Sequence, residues 1–113
     1  MTFEEAAEKA REFRDERDWK QVHTPKDVAL SISLEASELL ETFQWSGQDV
    51  QVTSKRAHME EELADVLIYC VYMADAIGAD IPSVMAEKIE KNAQKYPVEK
   101  AKGSSKKYDE LDD

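Results

Sequence analysis

Apolar positions recur at three- and four-residue spacing along most of the chain, the period of helices that each bury one stripe. The first run carries Phe3, Ala6, Ala7, Ala10 and Phe13. Thr2 and Glu5 form a capping-box pattern at its start, and it fades near Asp18-Trp19. A linker from Lys20 to His23 leads to Thr24-Pro25, a capping residue followed by a proline suited to the first helical position. From there Val28, Ile32, Leu39 and Phe43 mark a stripe that Leu30, Leu34 and Leu40 broaden. This second helix is expected to stop near Gln44-Trp45, ahead of Ser46-Gly47, and the polar stretch 46–53 reads as a loop. A third helix from about Ser54 to Ile77 turns Leu63, Val66, Leu67, Cys70, Val71, Ala74 and Ile77 inward, and Gly78 is placed to end it in a left-handed conformation. Asp80 caps a fourth helix through Val84, Met85, Ile89 and Ala93, closed by Pro97.

Four short-linked helices predict an all-α fold, a four-helix bundle spanning residues 1–97. The second and third helices are apolar around more of their circumference than one partner face requires, which predicts a homo-oligomer. The remaining segment, 98–113, reads VEKAKGSSKKYDELDD and holds too few apolar groups to fold alone. It is expected to be a charged, flexible tail, either disordered or closing over a site when ligand binds. No internal repeat is present.

Composition narrows the class further. A chain of 113 residues has room for one domain, and three glycines with three prolines are too few for the turns of a β-sandwich. No apolar run approaches the roughly 18 residues that span a bilayer, and the N-terminus lacks a signal-peptide core, so a cytoplasmic protein without membrane contact is expected. The single cysteine, Cys70, excludes an internal disulfide and a multi-thiolate metal site.

The net charge of −10 is concentrated in the middle of the chain. Residues 27–87 hold twelve acids against Lys55 and Arg56 alone, a balance of −10, whereas the segments on either side nearly cancel. Nucleic acid is a poor partner for such a surface, because affinity for it comes mainly from lysine and arginine on phosphates. An acidic centre without internal counter-charge either stays solvated or takes its cations from outside.

Glu35 and Glu38 lie three residues apart, on one side of the second helix, inside SISLEASELLETF, which holds no base. Glu62 and Asp65 repeat the arrangement on the third helix, followed one turn later by Tyr69. Acids fill 25 of 113 positions, so such pairs also arise by chance. Context distinguishes these two: a carboxylate in an apolar helix is costly unless a cation meets it. An antiparallel hairpin of helices two and three would let the pairs face each other. Four carboxylates without histidine or thiolate form a hard oxygen site suited to magnesium, with manganese as a substitute, and one of them would have a raised pKa until metal arrives. The alternative is that some of these acids point to solvent at the core margin. A di-iron bundle is disfavoured, since it needs Glu-x-x-His, and neither His23 nor His58 lies three residues after a glutamate.

Magnesium on carboxylates commonly serves phosphate chemistry. With no glycine-rich phosphate loop present, Lys88, Lys91 and Lys95, beside Asn92 on the fourth helix, are the candidate phosphate contacts, or else an ordinary charged face. Trp19 and Trp45 lie at helix ends, where they serve either as stacking platforms for a base or as hydrophobic plugs.

The strings RDERDWKQVHTPKDVALSISLEASELLETFQW, EELADVLIYCVYMADAIGADIP and KIEKNAQKYP together resemble the MazG-like all-α nucleoside triphosphate pyrophosphohydrolases, and most of all their dCTP pyrophosphatase branch. The likeness covers about residues 3–97. The family motif, E-x-x-E and then E-x-x-D, appears as Glu35–Glu38 and Glu62–Asp65 with 23 residues between.

The resemblance implies magnesium ligation by Glu35, Glu38, Glu62 and Asp65, with Glu38 or Glu35 holding the attacking water. It implies base and sugar contacts from Trp19, His23, Trp45 and Tyr69, and polar contacts from Lys88, Asn92, Lys95 and Tyr96. It further implies a homotetramer, a dimer of dimers, with active sites at subunit contacts. The expected reaction is hydrolysis of a nucleoside triphosphate, dCTP or a modified cytidine nucleotide first, to the monophosphate and pyrophosphate. Ala10 departs from relatives in that branch that carry a nucleotide-contacting histidine there, a difference that bears on base preference. A non-catalytic nucleotide-binding or regulatory bundle is the alternative.

Overall fold

Helices begin where a side chain can accept an otherwise unpaired amide of the first turn. Thr2 Oγ1 accepts from the Glu5 amide at 3.1 Å and opens α1, Phe3–Glu16. Thr24 Oγ1 accepts from the Asp27 amide at 3.2 Å and opens α2, Pro25–Glu41, with the proline in its first turn. The long α3, Arg56–Ile77, ends at Gly78, whose φ of +70° lies in the left-handed region. Asp80 caps α4, Ile81–Lys95, by accepting from the Ser83 amide and hydroxyl. A short α5, Val98–Ala101, follows. This computed structural model describes residues 1–111, and among them there is no strand.

One boundary and one loop residue differ from the sequence expectation. Helix α2 stops at Glu41 instead of Gln44–Trp45, because the amides of Thr42, Phe43 and Gln44 each bond three residues back and tighten the chain into a turn. Trp45 leaves that turn at φ +66°. The stretch read as a polar loop also contains a plug: Val52 is buried at φ +43°, held by Asp49 Oδ1, which accepts from the Gln51 and Val52 amides.

The chain divides into two compact units. The first, Met1–Ala79, contains α1 to α3, and the second begins at Asp80. Within the first unit α2 and α3 pack most extensively, and α1 lies against α3. Of the stripe expected on α1, Ala7 and Ala10 are buried while Phe3 and Phe13 stay half exposed. Arg14 is the unexpected core residue, 3% exposed. Its Nη1 donates to Asp75 Oδ2 on α3 at 2.7 Å and its Nε to Asp15 at 2.8 Å, and Arg11 Nε adds a second cation at Asp75. Above this pair Tyr72 Oη donates to the Ala10 carbonyl at 2.7 Å. A buried guanidinium is tolerated only with such partners.

In the second unit the chain turns at Tyr96–Pro97, runs through α5 and reverses at Gly103, φ +77°. Tyr108 then packs against Tyr96, ring centroids 6.3 Å apart. Asp112 and Asp113, the last two residues of the expected tail, lie outside the described residues.

Removing Asp75 leaves the Arg14 and Arg11 guanidinium groups short of their shared acceptor. Asp75→Ala is expected to lower stability by about 2–3 kcal/mol in urea denaturation. An unchanged midpoint would show that Asp15 alone suffices for Arg14.

Candidate functional site

The seam between α2 and α3 brings the two carboxylate pairs together. Oxygens of Glu35, Glu62 and Asp65 all lie within 4.8 Å of one another. Glu38 stands beside both Glu35 and Glu62. Glu35 neighbours Asp65 while Glu38 neighbours Glu62, so α2 and α3 run antiparallel here, as the hairpin predicted. Both α2 carboxylates follow from the i, i+3 spacing, which stacks them one turn apart on the side that faces α3.

Two of these carboxylates each keep one oxygen without a partner. Glu35 Oε2 and Glu62 Oε2 are buried and accept no hydrogen bond. The nearest base is His58, one turn before Glu62, with Nδ1 3.9 Å from Glu62 Oε1. Burial, then the proton-sharing contact with Glu38, pushes the Glu35 carboxyl up to about 6. Glu62 is raised for the same two reasons, with His58 opposing. Buried, unpartnered carboxylate oxygens within a few ångströms of one another fit a hard divalent cation, and the all-oxygen donor set fits magnesium or manganese better than zinc or copper.

Beside the carboxylates a cavity of about 640 Å³ opens between α1 and α3. Glu35 and Asp65 stand on its wall with Trp19 and Tyr69, and the rest is mainly apolar, with Ala6, Ala7 and Ala10 giving it width on the α1 side. His23 lies just behind, stacked on Tyr72 at 5.0 Å between centroids and 6.4 Å from Tyr69. Its Nδ1 is buried without a partner, and burial followed by the Arg14 charge lowers its pKa, favouring the neutral ring.

Of the residues singled out for nucleotide contact, Trp19, His23 and Tyr69 therefore gather within the first unit. Trp45 does not join them: it is 92% exposed and outside the cavity lining. Lys88, Asn92 and Lys95 share the exposed surface of α4 in the second unit, with Tyr96 at its end. Sequence reasoning missed Tyr72, Arg14 and Asp75, which hold α1 on α3 and so shape the cavity. A tyrosine three residues after Tyr69 was the one available signal for Tyr72.

The MazG-like family profile matches residues 30–111, from within α2 to beyond Tyr108. The chain belongs to the MazG-like family. Among curated relatives, dCTP pyrophosphatase 1 of Mus musculus and of Homo sapiens are each 39% identical to it over 115 residues, covering 97% of this chain and 68% of theirs. The crystal structure of a pyrophosphatase from Archaeoglobus fulgidus is 46% identical and superposes with a TM-score of 0.75, over 83% of this chain and 91% of that one.

The raised carboxyl sets a pH dependence. Because folding lifts Glu35 from about 4.5 to about 6, the metal-free protein gains stability from this group in acid and loses it as pH climbs through that interval. A bound divalent cation reverses the trend, since it requires the ionised form. Millimolar magnesium is expected to raise the melting temperature by several degrees at pH 7 and by little at pH 5. Equal shifts at both values would remove Glu35 from the ligand set.

Proposed function

We propose that this protein is a divalent-metal-dependent nucleotide pyrophosphohydrolase that converts a deoxynucleoside triphosphate, dCTP or a modified cytidine nucleotide first, to the monophosphate and pyrophosphate. The enzyme class rests on family membership, the relatives named dCTP pyrophosphatase 1 and the pyrophosphatase structural neighbour. The observation that carries the reading in this chain is the group of uncompensated carboxylates, Glu35, Glu62 and Asp65 with Glu38 beside them, at the edge of a cavity lined by aromatic rings.

Glu35, Glu62 and Asp65 would hold magnesium, with Glu38 completing the set. When bound, the cation neutralises phosphate oxygens and favours charge developing there during phosphoryl transfer. Glu38 is the exposed member of the first pair, and its carboxylate is the group we assign to accept a proton from the attacking water, with Glu35 behind it. Trp19 and Tyr69 offer ring surfaces against which a base can lie, and the neutral His23 ring backs them through Tyr72. Lys88, Asn92, Lys95 and Tyr96 are assigned to the polyphosphate.

We also propose a homotetramer, a dimer of dimers in the cytoplasm. Leu30, Leu34 and Leu40 on α2 and Leu63 and Leu67 on α3 are all exposed in the single chain, more apolar surface than one soluble helix pair commonly leaves bare. Trp45 would then contact a nucleotide through a neighbouring copy. Sedimentation at the mass of four chains supports this assembly, and a monomer at micromolar concentration overturns it.

The direct test is pyrophosphate release across standard and modified nucleoside triphosphates, with and without magnesium. Magnesium-dependent release concentrated on cytidine deoxynucleotides is expected. Release spread over many bases would discard the cytidine preference, and none at all would favour a nucleotide-binding bundle without turnover. Glu38→Gln should lower kcat by about 100-fold or more while circular dichroism stays unchanged. Turnover within a few-fold of the parent would remove Glu38 from its assigned role.

A further inference from the structure

Within the second unit a stretch of the chain reverses the sign of the charge that prevails elsewhere. Between residues 88 and 107 seven lysines face only Glu90 and Glu99. On α4, Lys88, Lys91 and Lys95 fall three and four residues apart and rise along one face. Beyond α4 the chain closes a loop on itself. Gly103 takes the left-handed conformation that reverses its direction, and Ser104 donates its amide to the Ala101 carbonyl at 2.9 Å. Ser104 Oγ accepts from the Lys106 amide at 3.2 Å. Tyr108 then meets Tyr96 edge-on, and Lys95 Nζ sits 5.0 Å from the centre of the Tyr108 ring. Residues 96–108 thus form a compact loop whose two ends are joined by aromatic contact.

A merely solvated basic tail has no use for this closure. The return of Tyr108 to Tyr96 and Lys95 brings the chain-adjacent Lys106 and Lys107 back to the end of α4, and the aromatic contact there offsets the repulsion between like charges. Every residue from Lys102 to Lys107 is exposed, including the hydroxyl-bearing Ser104 and Ser105. Clustered ammonium groups with adjacent hydroxyls are suited to a compact anion carrying several charges. A single phosphate would engage only one or two of them. A long nucleic acid would have to approach a chain whose net charge is −10.

We infer that the loop closed by Tyr108 on Tyr96 is a polyphosphate-binding element, with Lys95, Lys102, Lys106 and Lys107 as its cations and a nucleoside triphosphate or its pyrophosphate product as its ligand. The identity of the ligand rests on the proposed reaction. The loop's affinity for a short polyphosphate does not.

The experiment is calorimetric titration of the full chain with inorganic tripolyphosphate, alongside nucleotide hydrolysis by the same preparations. K106A/K107A and Y108A should each weaken tripolyphosphate binding about tenfold, Y108A doing so with every lysine in place. Y108F should stay within twofold, because the contacts to Tyr96 and Lys95 use the ring. In hydrolysis, K106A/K107A should raise KM by a similar factor, with the loss falling on KM rather than kcat. Unchanged tripolyphosphate affinity in K106A/K107A overturns the inference, and unchanged affinity in Y108A overturns the role of loop closure. A changed sedimentation mass with unchanged affinity would overturn it too, by showing that the lysines meet acidic protein surface instead. If the parent hydrolyses no triphosphate yet loses tripolyphosphate binding on lysine removal, the loop stands and the enzymatic reading falls.

Discussion

Four carboxylates on two helices that otherwise pack through apolar side chains are the constraint around which the first unit is arranged. Glu35 and Glu62 bury oxygens that accept no hydrogen bond, and no lysine or arginine is within reach. Such an arrangement is unfavourable in isolation, because each ionised group is desolvated and repelled by the others. The fold sustains it through the contacts elsewhere along the α2–α3 seam, and protonation of Glu35 relieves part of it. A divalent cation at the cluster, as proposed, would relieve the remainder. Local stability is low here, and a cation held by the proposed ligands would raise it.

The rest of the first unit holds a cavity open beside that cluster. Helix α1 approaches α3 closely at Ala7 and Ala10, which bring little bulk, while Arg14 and Tyr72 fasten it through Asp75 and the Ala10 carbonyl. This attachment is polar and directional. A leucine-filled interface of the same length would collapse the space, whereas the guanidinium–carboxylate pair sets a separation and leaves the alanines as cavity wall. Tyr72 joins the two tasks, since its hydroxyl fixes α1 and its ring supports His23. Charge is divided along the chain: acids gather at the α2–α3 seam, and lysines lie on α4 and the loop that follows it.

Much of this was legible in the sequence because helix physics is local. Caps at Thr2, Thr24 and Asp80, the stop at Gly78 and the three-residue spacing of the acids depend on neighbours within one turn, and all appear in the structure. The absence of bases around Glu35 and Glu38 already marked them as unpaired within their own helix. Where local rules failed, a distant residue or a strained turn had decided the outcome. Helix α2 ended early because the chain tightened before Trp45, and Val52 is buried within a stretch whose composition is polar.

The sequence by itself determined the helices, the acidic centre, the basic segment after residue 87 and the identity of the unpaired carboxylates, since each follows from residue type and spacing. Only the tertiary structure decided that both carboxylate pairs converge, that Arg14 is buried on Asp75, that Tyr72 links α1 to His23, and that Tyr108 returns to Tyr96. These contacts join residues 12 to 62 positions apart. No periodicity specifies a pairing across such distances. It emerges only when helix faces compete for burial and each buried charge must find, or wait for, its partner.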